Sequence, residues 1–250
     1  MGFCIPYPLR NLFLDYAKSS RHLLYFIDTA TLGVTSLNAH QFRWFELFSV
    51  FFLLPFIAYF FRHELANWLF PALIIIMSVC TYLLLSDPHF KRFRLTSLGQ
   101  FSAIKKRLFS IFFIGALFSG MLYGLISQET WFDLPINSTT DWLVLLIAYP
   151  ILSVLPQELI FRSYFFHRYK RILPSKTVRI LLSASVFALA HCVYDNWMAI
   201  IMSFFGGLLF SYTYAHSRSL AVCVLEHSLW GLWLFTIGAG KYLDAGVTFT

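Results

Sequence analysis

Residues 153–169 read SVLPQELIFRSYFFHRY, a run built for lipid that nevertheless holds a glutamate and an arginine, Glu158 and Arg162. Positions four apart share one face of a helix, so the two side chains can pair, with the acid on the favoured N-terminal side. A charge at the centre of a bilayer costs at least about 3 kcal/mol, and such residues face a bundle interior or a water-filled cavity rather than lipid. Pro150 and Pro156 remove two backbone donors on the approach to Glu158, which predicts a kinked or locally unwound helix there. Two readings are open on these residues alone: an ion pair that holds helices together, or a functional site.

The rest of the chain sets the same stage. Hydrophobic residues make up 58% of the 250 and charged residues only 12%, against about 25% charged in a soluble domain. About 20 consecutive apolar residues span a bilayer. That rule predicts spans near Gln41–Phe61, Ala66–Leu85, Leu108–Ile126, Trp142–His167, Val178–Cys192, Trp197–Ala215 and Ser219–Gly238. The expected fold is therefore all-α, a polytopic membrane helix bundle of about seven transmembrane helices in one domain over 41–250. Residues 1–40 carry Arg10, Asp15, Lys18, Arg21 and Asp28 and lack the pattern of a signal peptide. They read as an amphipathic lead-in, with an eighth, partly inserted helix as the alternative.

The formal charge of +7 is distributed in a way that argues against nucleic acid. When the connections are assigned alternately to two sides, one side collects 16 of the 19 Lys and Arg, including Lys91, Arg92, Lys105, Lys106, Arg107, Lys170, Arg171, Arg179 and Arg218. The other side holds Arg62, Lys241 and an acidic loop with Glu129, Asp133 and Asp141. The positive-inside rule makes the first side cytoplasmic and puts the N-terminus there. The basic clusters also suit anionic headgroups of a lipid bilayer. The expected location is the plasma (inner) membrane. Cys4, Cys80, Cys192 and Cys223 are scattered and form no CxxC pair, so they read as small hydrophobes.

Depth links Glu158 to two histidines. At about 1.5 Å per residue, Glu158 lies roughly 15 Å from the cytoplasmic end of the fourth span, His191 roughly 18 Å into the fifth, and His227 roughly 13 Å into the seventh. Three helices thus bring one ionisable group each to a common level. A lone histidine on an apolar helix is commonly a hydrogen-bonded core residue, but three such groups at one depth can assemble a site. Their chemistry fits water activation, with a carboxylate taking a proton and imidazoles orienting water or stabilising an oxyanion. A Glu and two His are equally a three-ligand set for a divalent metal such as zinc, although HExxH is absent. Glu226, beside His227, points about 100° away and could form a second polar face. No serine sits in a GxSxG turn.

Over roughly residues 140–240 these motifs resemble the CAAX protease and bacteriocin-processing family, also called Abi or type II CAAX endopeptidases. Its pattern is a pair of glutamates with an arginine four after the second, a phenylalanine with a histidine four later, and a histidine with an asparagine four later. Here the motifs read Gln157, Glu158 and Arg162; Phe187 and His191; His227 and Gly231. The resemblance implies an intramembrane endopeptidase that hydrolyses a peptide bond near the bilayer. In it Glu158 is the base, Arg162 its positioning partner, His191 a water or metal ligand, and His227 a ligand or oxyanion stabiliser.

Two positions depart from the pattern. Gln157 stands where the family's usual base stands, and an amide cannot take that proton. Gly231 removes an expected oxyanion donor, which Asn196 is a candidate to replace. A catalytically impaired relative that binds or scaffolds membrane partners is therefore the alternative to a peptidase acting on a peptide or protein substrate. A transporter is a third reading, disfavoured by the lack of internal repeats.

Overall fold

In the computed structural model the described residues are 38–98, 101–127 and 131–243. The lead-in expected over 1–40 lies outside them up to residue 37. The chain divides into two compact units, Met1–Glu46 and Leu47–Thr250, and the site lies wholly in the second. Among the described residues, seven helices are long and apolar enough to cross a membrane: α1 (Asn38–Phe60), α2 (Arg62–Ser86), α3 (Phe101–Leu125), α4 (Thr139–Arg168), α5 (Lys176–Tyr194), α6 (Trp197–Ser217) and α7 (Leu220–Ile237). No strand occurs among the described residues. The protein is an all-α integral membrane bundle, and each span overlaps the one expected from sequence.

The last three helices are joined by very short, locally specified turns. Ser175, Asn196 and Ser219 cap α5, α6 and α7, each side-chain oxygen accepting from a backbone N–H of the first turn, as N-cap residues do. Asp195 and Arg218 take left-handed conformations, with φ of 52° and 51°, to reverse the chain before α6 and α7. Asn196 is thus committed as a cap, with its Nδ2 donating to the carbonyl of Tyr242. It does not replace the side chain absent at Gly231.

Burial concentrates in α4–α7. The buried share of each span rises from 11% in α1 and α2 to 44% in α6 and α7, so the first helices present large apolar residues outward and the later ones enclose the polar groups. Phe51 of α1 is buried and meets Phe161, Phe165 and Tyr169 edge-on, with ring centres 5.3–5.8 Å apart. On α6, a Cβ at Gly207 would stand 3.0 Å from the Ala184 backbone. This close approach of α5 and α6 needs the small residue there. On α3, Gly115 and Gly120 lie under the indoles of Trp230 and Trp233 from α7, and Ser119 Oγ accepts from Trp233 Nε1 at 3.0 Å. The glycines of α3 therefore seat tryptophan rings.

Helix α4 is neither broken nor sharply unwound at its prolines. It widens into π-helical turns at Tyr149–Val154 and Leu159–Tyr164, on either side of one α-helical turn, Leu155–Glu158. Proline removes an i→i−4 donor and crowds the preceding turn, and a wider turn is one way for a helix to remain continuous around it. Such π-bulges recur at functional sites.

Several basic residues assigned from sequence to connecting segments belong to helices, among them Arg107 and Arg179. Arg107 lies within α3, with its Nη2 donating to Thr213 Oγ1 and standing 3.7 Å from Glu226 Oε1. Arg179 lies within α5 and donates to the carbonyls of Leu173 and Pro174, closing the turn that follows α4. Their position near the basic end of the bundle made them look like loop charges.

Candidate active site

The centre of the bundle is built outward from Glu158. Both it and Arg162 have no exposed surface. Arg162 Nε lies 3.2 Å from Glu158 Oε2, a close ion pair set off the hydrogen-bond axis. The other carboxylate oxygen, Oε1, accepts from His227 Nδ1 at 2.9 Å. One glutamate on α4 thus ties an arginine of its own helix to a histidine of α7.

Arg162 is held further through Nη1 and the faces of its guanidinium, while Nη2 is buried without a hydrogen bond. Its Nη1 donates to Ser183 Oγ at 3.0 Å, Ser183 donates to the Phe161 carbonyl at 2.7 Å, and Ser211 donates to Ser183 at 3.1 Å. The single hydroxyl proton and both lone pairs of Ser183 are all used. The guanidinium also lies over Phe187, 4.6 Å from the ring centre, and 5.9 Å from that of Phe210. These contacts are cation–π in geometry. The contact at Gly207 brings α5 and α6 close enough for the two serines to meet. Ser183, Ser211, Phe187 and Phe210 therefore supply a buried seat for a charge that lipid would reject.

His227 is contacted at both nitrogens and packed by two phenylalanines. Phe210 stacks on its ring at 4.5 Å and 18°, and Phe187 stands edge-on at 5.7 Å. A carboxylate only accepts, so Nδ1 carries the proton in the bond to Glu158, and Nε2 presents its lone pair. Nε2 faces the Tyr149 hydroxyl at 3.3 Å. His191 takes the same tautomer by a different route. Its Nδ1 donates to the Phe187 carbonyl at 2.7 Å, leaving Nε2 as an acceptor.

The structure brings Glu158, Arg162 and His227 into direct contact. No hydrogen bond or ion pair joins His191 to them: its ring packs on Phe187 at 4.5 Å, and Phe187 also meets the His227 ring at 5.7 Å. Among the described residues no three His, Cys, Asp or Glu side chains form a set able to hold a metal ion. Glu158 bonds His227 directly instead of converging with it and His191 on a common point. The side chains as placed do not fit the zinc set considered from sequence.

Gln157 is turned to Ser153 one turn back, its Nε2 donating to Ser153 Oγ at 2.8 Å, and its carbonyl oxygen is buried without a hydrogen bond. The gap left by Gly231 is filled. A Cβ built there would fall 2.1 Å from the hydroxyl oxygen of Tyr149, so the tyrosine occupies the space where a side chain at 231 would start. Nothing in an isolated tyrosine on an apolar span announces this role. The usable signal is Gly231 itself, a vacancy one turn after His227 that some neighbour must fill.

With this geometry in view, the sequence comparisons give the site a context. Residues 139–233 match the family model for type II CAAX prenyl endopeptidase Rce1-like proteins. No curated protein and no solved structure matches the chain. The matched segment contains the whole cluster from Tyr149 to Gly231, and over that segment the chain is similar to the CAAX protease family.

Proposed function

We propose that this protein is an intramembrane endopeptidase that hydrolyses a peptide bond near the bilayer with water activated by the Glu158–His227 pair. The observation that carries the reading is the bond from His227 Nδ1 to Glu158 Oε1. A carboxylate behind Nδ1 fixes the tautomer, directs Nε2 at the reacting water, and stabilises the imidazolium when the proton arrives, as in other carboxylate–histidine pairs. Arg162 holds Glu158 in place. In this reading His191, whose Nε2 is left as an acceptor, orients water or the departing amine. Gln157 is not used as a base, since its amide cannot accept the proton, and the histidine takes over that task.

The family description points to a lipidated, C-terminal peptide as the first substrate class to try. The basic residues of the connections indicate an orientation with the N-terminus in the cytoplasm. Glu158→Ala and His191→Ala, in protein that remains folded in nanodiscs, are expected to abolish cleavage of a farnesylated Cys-Aaa-Aaa-Xaa peptide. Full activity in either would refute the assignment. A non-hydrolytic binding role is the second reading, favoured by Gln157 and by its bond to Ser153. It predicts a cellular phenotype that survives Glu158→Gln.

A further inference from the structure

We propose that the Tyr149 hydroxyl is the oxyanion donor of this site. The inference rests on the peptidase reading above and assigns a residue that none of the sequence motifs contains. Residues 227 and 231 lie one turn apart on α7, so a side chain at 231 would project beside the His227 ring. None exists, and the Tyr149 hydroxyl stands 2.1 Å from the point where its Cβ would be. From there it reaches His227 Nε2 at 3.3 Å. Its ring is held edge-on by His227 at 6.2 Å and by Phe235 at 5.3 Å. It also begins the π-helical turn Tyr149–Val154, so the distortion of α4 and the placement of the hydroxyl coincide.

The step follows from the two groups. A substrate carbonyl lying against the hydroxyl puts its carbon within reach of a water on Nε2, the arrangement expected of a nucleophile and an oxyanion donor around one reacting atom. Water oxygen bonds to the carbonyl carbon, the π electron pair moves to the carbonyl oxygen, and the water proton goes to Nε2. The hydroxyl of Tyr149 leaves Nε2 and donates to the new oxyanion. Collapse of the tetrahedral centre reforms the carbonyl, breaks the C–N bond, and returns the proton from Nε2 to the amine.

The test uses the full chain in nanodiscs with farnesylated and unlipidated peptides as probes. Tyr149→Phe removes one oxygen and keeps the ring. Loss of one oxyanion donor typically lowers kcat about 100- to 1000-fold, with KM and thermal unfolding unchanged. Gly231→Asn alone is expected to be inactive, because the new side chain collides with Tyr149. The exchange Tyr149→Ala with Gly231→Asn is expected to regain at least tenfold over Tyr149→Phe. Wild-type kcat in Tyr149→Phe would overturn the donor role and leave the peptidase reading standing. Absence of cleavage by the wild type on every probe would overturn both. Nitrogen-15 NMR of histidine-labelled protein needs no substrate: Tyr149→Phe should move the His227 Nε2 resonance, and an unmoved resonance would overturn the contact itself.

Discussion

Replacing Arg162 with methionine probes the central electrostatic contact. Glu158 and Arg162 have no exposed surface and lie 3.2 Å apart. At an effective dielectric of about 20, their attraction is of order 5 kcal/mol, opposed by the cost of desolvating both. Removing one partner leaves a buried carboxylate uncompensated, at about 3–5 kcal/mol. Loss of the cation–π contacts to Phe187 and Phe210 adds about 0.5–2 kcal/mol. A simple interhelical hydrogen bond in a membrane protein averages only about 0.6 kcal/mol, so the two descriptions are well separated. For a chain of this size 1 kcal/mol moves Tm by about 2–4 °C, and Arg162→Met should lower it by about 10 °C. Tryptophan fluorescence during thermal unfolding in a mild detergent reads this directly. Adding Glu158→Leu to Arg162→Met should recover part of the loss, because the stranded charge is gone. An Arg162→Met protein within about 1 kcal/mol of wild type would refute the buried-charge account, since that is the scale of an exposed pair.

Two further outcomes test the frame around the site. Gly207→Val places side-chain carbon against the Ala184 backbone, and should cost about 1–3 kcal/mol by overpacking. The same thermal assay should show that loss, together with a parallel loss of activity as Ser183 and Ser211 separate. Outside the membrane-spanning segments, burial raises the pKa of Asp87, but hydrogen bonds from His167 and from the backbone and side chain of His89 outweigh it and lower the pKa from 3.8 to about 2. A depressed carboxyl pKa gives stability that is complete above the unfolded value and disappears as pH falls through the folded one. Asp87→Asn should therefore be less stable than wild type at pH 6, and the gap should close between about pH 4 and pH 2. A gap independent of pH would assign the effect to packing.

The membrane architecture was legible because its signals are long and redundant: seven apolar runs, and a charge asymmetry that alternates with them. The pairing of Glu158 with Arg162 followed from helical spacing, and the meeting of Glu158 with His227 from common depth. Depth alone could not separate His191 from His227, because it ignores where a ring points. Phe187 packs against both imidazoles, and a phenylalanine in an apolar sequence gives no warning of that. Tyr149, Ser183 and Ser211 were silent for a similar reason, since a hydroxyl on an apolar span reads as one more tolerated residue until its partners are known. Asn196 reads in the sequence as a candidate donor, but it stands immediately before the sixth apolar run, and its cap bond to the Met198 N–H competes with that use.

Glu226 offers a useful contrast. Adjacent to His227 and almost fully buried, it faces α3 and Arg107 rather than Glu158. The carboxylate at 226 and the imidazole at 227 thus engage different partners. The helical turn between residues 226 and 227 directs one toward the packing of α3 and the other toward the site. The same principle sets Gln157 and Glu158 apart, with the amide turned to Ser153 and the carboxylate to His227.

The most direct test of the account is a comparison of wild type, Glu158→Gln and His227→Gln in nanodiscs with the farnesylated peptide, with product identified by mass spectrometry and folding checked by thermal unfolding. Cleavage by the wild type, with kcat lowered at least about 100-fold in both variants, as expected when a general base or its carboxylate is removed, is the predicted result. Wild-type turnover in folded Glu158→Gln would contradict the claim that the Glu158–His227 pair activates water.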